Sequence, residues 1–204
     1  MATAGEMIRV IAAAIARPQA TVTSFYGVLR KAHLISTTGR GRSAQHLSPL
    51  DVGRILIVML SADSLQEGEA VTQLIGDLWH RRGGEDDPEP PEEIQFEGAL
   101  AKLIGFLADD HHGRAPVDNG MLGNLRADQV RVQVTATHMS AQIIVGSQRT
   151  EFSSFFESPP MSYPDDWEAL APRDRLLLRA LMEGMSVTRE IGHTALRQVA
   201  AAMP

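Results

Sequence analysis

Apolar residues recur at helical spacing through the first eighty positions. Met7, Ile8, Val10, Ile11 and Ile15 predict a helix over 6–16, which Pro18 stops. Val22, Phe25, Leu29 and Ala32 stand three or four residues apart and predict a second helix, starting near Thr21 or Thr23 and reaching His33. Its opposite face carries Thr23, Ser24, Gly27, Arg30 and Lys31. The β-compatible pieces 34–36 and 45–47 flank 37–42, which holds two glycines and two arginines, and together they read as a hairpin or wing. Ser48 supplies an N-cap and Pro49 a first helical residue, so a third helix should run through Ile55, Leu56, Met59 and Leu60. A fourth is predicted over 64–80.

The pattern changes at 81–91, where Gly83, Gly84, Pro88, Pro90 and Pro91 lie among acidic residues and predict a linker. Beyond it Phe96, Leu100, Leu103, Ile104 and Leu107 mark an amphipathic helix, followed by an irregular connection over 109–125. Val130, Val132, Val134 and Ala136 then alternate with polar residues, the signature of a strand with one buried face. Two further strands over 141–145 and 149–155 would complete an antiparallel meander turning near Met139 and Gly146. The segment 172–203 reads as helix-rich, with Leu176, Leu177, Leu181 and Met185 on one stripe. The expected fold is α+β, mainly α, in two domains. Residues 1–82 form the first, 83–91 the acidic Gly/Pro linker, and 92–204 an oligomerisation or partner-binding domain.

Composition narrows the function. With 44% apolar residues the chain has enough material for a core, and no run approaches the roughly 18 apolar residues of a membrane span. The start of the chain lacks the features of a secretory signal, so a cytoplasmic location is expected. The absence of cysteine removes disulfides, thiolate zinc sites and thiol nucleophiles. Net charge is −6, but unevenly spread. Residues 1–54 hold Arg9, Arg17, Arg30, Lys31, Arg40, Arg42 and Arg54 against Glu6 and Asp51, a net +5, which leaves −11 on the remaining 150 residues. Clustered positive charge is what phosphate binding requires.

The order helix, turn, helix, wing, helix suits DNA because the groove admits one helix while a wing reaches the neighbouring backbone. Small hydroxyls at Thr23 and Ser24, cations at Arg30 and Lys31, and Arg40 and Arg42 between glycines supply the matching chemistry. The run Thr21-Val22-Thr23-Ser24-Phe25-Tyr26-Gly27-Val28-Leu29-Arg30-Lys31-Ala32-His33-Leu34-Ile35 resembles the MerR-type winged-helix signature. So do the wing at 39–41 and the opening Leu47-Ser48-Pro49-Leu50-Asp51-Val52 of the next helix. The likeness covers residues 7–60. It implies that Tyr26, Arg30 and the wing arginines face DNA. The long dimerisation helix and the effector cysteines of that family have no counterpart, so the resemblance extends to the module alone. A second, partial likeness to the opening of LuxR-type helix-turn-helix domains runs from Leu170 to Ile191, with only 13 residues after it.

These readings predict a sequence-specific DNA-binding regulator, acting as a homodimer assembled by the apolar residues of 130–155 and 176–185. The alternative is an interaction, inhibitor or adaptor protein of a phage or mobile element whose acidic second domain binds a protein partner. Asp109-Asp110-His111-His112 is the densest set of potential metal ligands, but adjacent residues rarely converge on one ion, and no metal or cofactor is expected. No nucleophile elbow, phosphate-cradling loop or dinucleotide fingerprint occurs, so an enzyme is not expected. Trp79, Phe152, Phe155, Phe156, Tyr163 and Trp167 read as core packing, with partner anchoring as the alternative.

Overall fold

A computed structural model describes residues 2–36, 46–80, 95–114, 130–135, 139–146, 148–153, 175 and 188–203. The first helix, α1 (Ala4–Ala14), starts two residues before the predicted helix does. Thr3 Oγ1 accepts from the Glu6 amide and the Glu6 carboxylate accepts from the Thr3 amide, a capping box that satisfies two otherwise orphaned donors. α2 (Gln19–Lys31) buries Val22, Phe25 and Leu29 as its spacing dictates. α3 (Pro49–Ser61) follows a second capping box, between Ser48 and Asp51. α4 (Gly68–Gly76), α5 (Phe96–His111) and α6 (His193–Ala201) complete the described helices.

Three helices end in the same way. At α1, the Arg17 amide reaches back to Ala12 O at 2.9 Å and the Ala16 amide to Ala13 O at 3.3 Å, with Ala16 at φ 52°. At α2, Leu34 bonds Leu29 O at 2.9 Å and His33 bonds Arg30 O at 3.2 Å, with His33 at φ 58°. At α5, Arg114 and Gly113 bond the Asp109 and Asp110 carbonyls, with Gly113 at φ 67°. This is the Schellman closure, which places one residue in the left-handed region. Only the third supplies the expected glycine.

The sheet is antiparallel throughout, in the order β1-β4-β3-β2-β5. Strands β2 (Val130–Thr135), β3 (Ser140–Val145) and β4 (Gln148–Ser153) form the meander that the alternation predicts, with Met139 and Gly146 at positive φ in its turns. Two edges come from elsewhere. β1 (Trp79–His80) pairs with β4, and β5 (Thr188–Ile191) pairs with β2. Both correct the expected helices at 64–80 and 172–203. Asp109, Asp110 and His111, expected in an irregular connection, are the last turn of α5. The stripe Leu176 to Met185 lies outside the described residues.

Val130, Val132, Val134, Ala141, Ile143 and Phe152 point from the sheet into the interior, where Phe152 meets Phe96 with ring centroids 5.3 Å apart. These residues join Met7, Ile11, Val22, Leu29 and all of Ile55 to Leu60 in one contiguous cluster that also includes Leu100, Leu103, Leu196 and Val199. The core therefore does not divide at 83–91 as expected. α3 packs on α5 and β2 as well as on α2 and α4, and α6 packs on both α1 and α5. Polar links cross the same line: Arg54 to Glu97, and Arg189 to Asp63 and to Leu60 O. The meander's apolar face, expected as a dimer surface, closes this chain's own core. Leu65 is the one large apolar side chain exposed among the described residues.

Two expectations follow. Residues 1–82 made alone should show no cooperative thermal transition by circular dichroism, whereas the full chain should unfold in one step; a cooperative fragment would contradict the shared core. Ala16→Gly and His33→Gly should each raise stability by about 1 kcal/mol in urea titration, since glycine enters the left-handed region without the Cβ clash.

Candidate nucleic-acid interface

A four-residue connection, Ile15 to Pro18, joins α1 to α2, and its turn is set by the left-handed Ala16. Pro18 bears no amide proton and stands at the α2 N-cap, where a donor would be orphaned in any case.

On the outer face of α2, Thr23, Ser24, Arg30 and Lys31 are exposed and Gly27 lies between them. A Cβ added at Gly27 would meet no atom within 4 Å, so packing does not explain the glycine. The Thr23 and Ser24 hydroxyls donate to Gln19 O and Ala20 O, each at 2.9 Å. Their protons are therefore engaged within the helix, and their lone pairs suit donors such as base amino groups better than phosphates. Arg30 and Lys31 occupy the last turn, where the helix dipole also favours positive charge. Tyr26 departs from this group: it is half-buried and packs against the core.

Of the expected wing only the flanking residues are described. Arg40 and Arg42 lie outside the described residues, as do all of 37–45. Neither 34–36 nor 46–48 is a strand, in contrast to the expected hairpin. Ile35 and Leu47 are instead buried in the core, anchoring the two flanks of the segment. Asp51 joins those flanks. One carboxylate oxygen accepts from the Ser36 amide at 2.9 Å; the other accepts from the Ser36 hydroxyl, the Ser48 amide at 2.9 Å and the Ser48 hydroxyl at 2.8 Å. Burial alone would raise this carboxyl's pKa, but the donors from Ser36 and Ser48 outweigh it and hold the group below its ordinary range. The serine three residues ahead of the aspartate was the sequence signal for this role.

Arg54, counted in the basic segment, is not available to phosphate. Its guanidinium grips Glu97 of α5 through two bonds, Nε to Oε2 at 2.8 Å and NH2 to Oε1 at 2.9 Å, and donates a third to Leu34 O at 2.7 Å. Hydrogen bonding to Glu97 raises its pKa further. Arg9, Arg17, Arg30 and Lys31 remain exposed.

The other sequence candidates are structural where they can be seen. Asp110 pairs with Arg197 at 2.8 Å, Asp109 with Arg114 at 3.4 Å, and His112 Nε2 bonds Met203 O at 2.9 Å. No group of three metal-ligating side chains occurs among the described residues. Of the LuxR-like segment, Glu190 and Ile191 belong to β5, and 170–187 lies outside the described residues apart from Arg175. No described helix is long and apolar enough to cross a membrane. No family model, curated protein or solved structure matches the chain.

The Asp51 clamp gives a pH-dependent expectation. Its folded pKa is depressed, so its stabilisation is complete above the ordinary carboxylate range and is lost as pH falls through the folded value. Asp51→Asn keeps the size but replaces one acceptor oxygen by a donor. It should cost about 2 kcal/mol at neutral pH. The gap to wild type should narrow below about pH 4 in urea titrations; a gap constant with pH would remove the carboxylate from the account.

Proposed function

We propose that the chain is a sequence-specific binder of duplex DNA and a transcriptional regulator, with the outer face of α2 against the groove and the basic segment 37–45 beside the backbone. The observation that carries this reading is Gly27. A glycine in an exposed helix interior costs about 1 kcal/mol relative to alanine, and here no neighbour occupies the space that a side chain would fill. Flanked by Ala20, Thr23 and Ser24, it leaves a shallow face on which another backbone can come close. Arg30 and Lys31 at the end of that face supply phosphate contacts. Tyr26, packed against the core, serves to seat the helix.

A single module of this size reads few base pairs, so two copies on a two-fold site are proposed as the bound form. With only Leu65 exposed among large apolar side chains in the described residues, assembly is assigned to the DNA-bound state.

The full chain should enrich a defined sequence from a library of random duplexes. On that sequence, measured by fluorescence anisotropy, Arg30→Ala/Lys31→Ala should weaken binding at least about tenfold and reduce the salt slope by about 2, and Arg40→Ala/Arg42→Ala should act similarly. Gly27→Ala should separate function from folding, raising stability by about 1 kcal/mol while weakening binding. Failure to enrich any sequence, together with no duplex binding at low salt, would overturn the proposal. A specific protein captured through 92–204 in that case would favour the adaptor reading.

A further inference from the structure

A cavity of about 440 Å³ opens between the end of α1, the last turns of α3 and the β5–α6 junction. Arg189, Glu190, Ile191 and Gly192 line it in succession. Successive side chains of a strand point to opposite faces, so what these residues share on the cavity side is the edge of β5.

The register shows what that edge presents. Only two residues separate Val145 from Gln148, so this pair closes the β3–β4 turn with hydrogen bonds. Bonded and non-bonded pairs alternate along antiparallel strands. Carried across the sheet, the alternation makes Arg131–Ile144 a bonded pair of β2 and β3, and Val132–Ile191 and Val134–Arg189 bonded pairs of β2 and β5. Thr188 and Glu190 therefore turn their amides and carbonyls away from β2. These groups find no other backbone partner among the described residues. The usual guards of an edge are weak here: β5 contains no proline, and Arg189 is drawn away to Asp63 and Leu60 O.

The remaining walls fix the occupant. Ile15, Leu56 and Met59 give the cavity an apolar floor. An unpaired strand edge is matched by another extended backbone, and an apolar pocket beside it takes the side chain that points inward. Arg17 and Glu190 bring one charge of each sign, and Arg189 is paired with Asp63, so the cavity selects no net charge.

We propose that β5 accepts an extended, uncharged peptide segment of a partner protein as a sixth strand. Its backbone pairs with that of Glu190, and one of its apolar side chains packs on Ile15, Leu56 and Met59. The site stands independently of the DNA-binding reading, and its test requires no DNA. Three acetylated and amidated pentapeptides, alternating threonine with valine, leucine or phenylalanine, would be titrated into the full ¹⁵N-labelled chain. At least one should shift the amides of Ile15, Ala16 and Glu190 saturably, with Kd below about 1 mM. Paired residues share a face, so the residue opposite Glu190 is a threonine. N-methylation of the central threonine should weaken binding at least about tenfold. N-methylation of the next apolar residue, whose amide faces away from β5, should not. Glu190→Pro removes the outward donor without touching the β2 ladder; it should melt as wild type does and lose binding. Ala195→Leu, which fills the cavity from the α6 side, should also abolish binding. The proposal is overturned if none of the peptides shifts these amides at about 2 mM, or if the two N-methylated forms bind alike. It is equally overturned if folded Glu190→Pro binds as wild type does. Protection of the Glu190 amide from exchange in the chain alone would also overturn it, placing a second copy on the edge if protection rises with concentration and a segment of the same chain if it does not.

Discussion

The described core is arranged around one helix whose residues are apolar and buried on nearly every side. Ten of the thirteen residues of α3 are buried, and the run Ile55-Leu56-Ile57-Val58-Met59-Leu60 leaves no polar stripe. An ordinary amphipathic helix needs one partner surface; a helix apolar all round must be enclosed. α2 and α4 cover part of it, and α5, β2 and β5 cover the rest. The acidic, proline-rich segment between α4 and α5 therefore joins two parts of one core. At about 1.5–3 kcal/mol for each large apolar side chain buried, six such residues outweigh any preference of the flanking elements to stand apart.

Enclosing α3 frees the surface of α2 from structural duty. Val22, Phe25 and Leu29 secure α2 from within, and a close approach to α4, where a Cβ on Gly68 would lie 3.2 Å from the Phe25 ring, fixes its position. The outer face can then carry Gly27 and two hydroxyl residues of poor helix propensity. A loss of about 1 kcal/mol there is affordable only because the core beneath is continuous. The same division applies to charge. Arg54 and Arg189 are tied to carboxylates and carbonyls across the core, whereas Arg17, Arg30 and Lys31 are left in solvent.

Asp51 shows how one residue can serve several levels. It closes the N-terminal turn of α3, joins the flanks of 37–45 through Ser36 and Ser48, and remains ionised because those donors outweigh its burial. Arg54, one turn later, ties α3 to Glu97 and to the carbonyl of Leu34 just past the end of α2. The flanks of 37–45 are thereby tied to the central helix through polar contacts on two sides.

Local pattern alone determined much of the architecture. The apolar spacing of α2, the Ser48-Pro49 start of α3, the burial of Phe96, Leu100, Leu103, Ile104 and Leu107 on α5, and the β2–β4 meander with its turns at Met139 and Gly146 all follow from periods of 3.6 and 2 and from turn chemistry within a few residues. The Ser48 N-cap of α3 was equally legible, whereas the Thr3/Glu6 capping box was not, and α1 starts two residues ahead of the helix that its apolar spacing predicts. Ala16 and His33 were not legible either, because their left-handed conformations are imposed by the Schellman hydrogen bonds and not by residue type. What only the tertiary structure decided is long-range. The edge strands β1 and β5 exist because β4 and β2 have free edges to pair with, Arg54 leaves the basic surface because Glu97 arrives 43 residues later, and two expected domains become one core because α3 has apolar residues on every side. Periodicity states which face of a segment is apolar. It does not say which distant segment covers that face, since that choice is made by the packing of the whole chain.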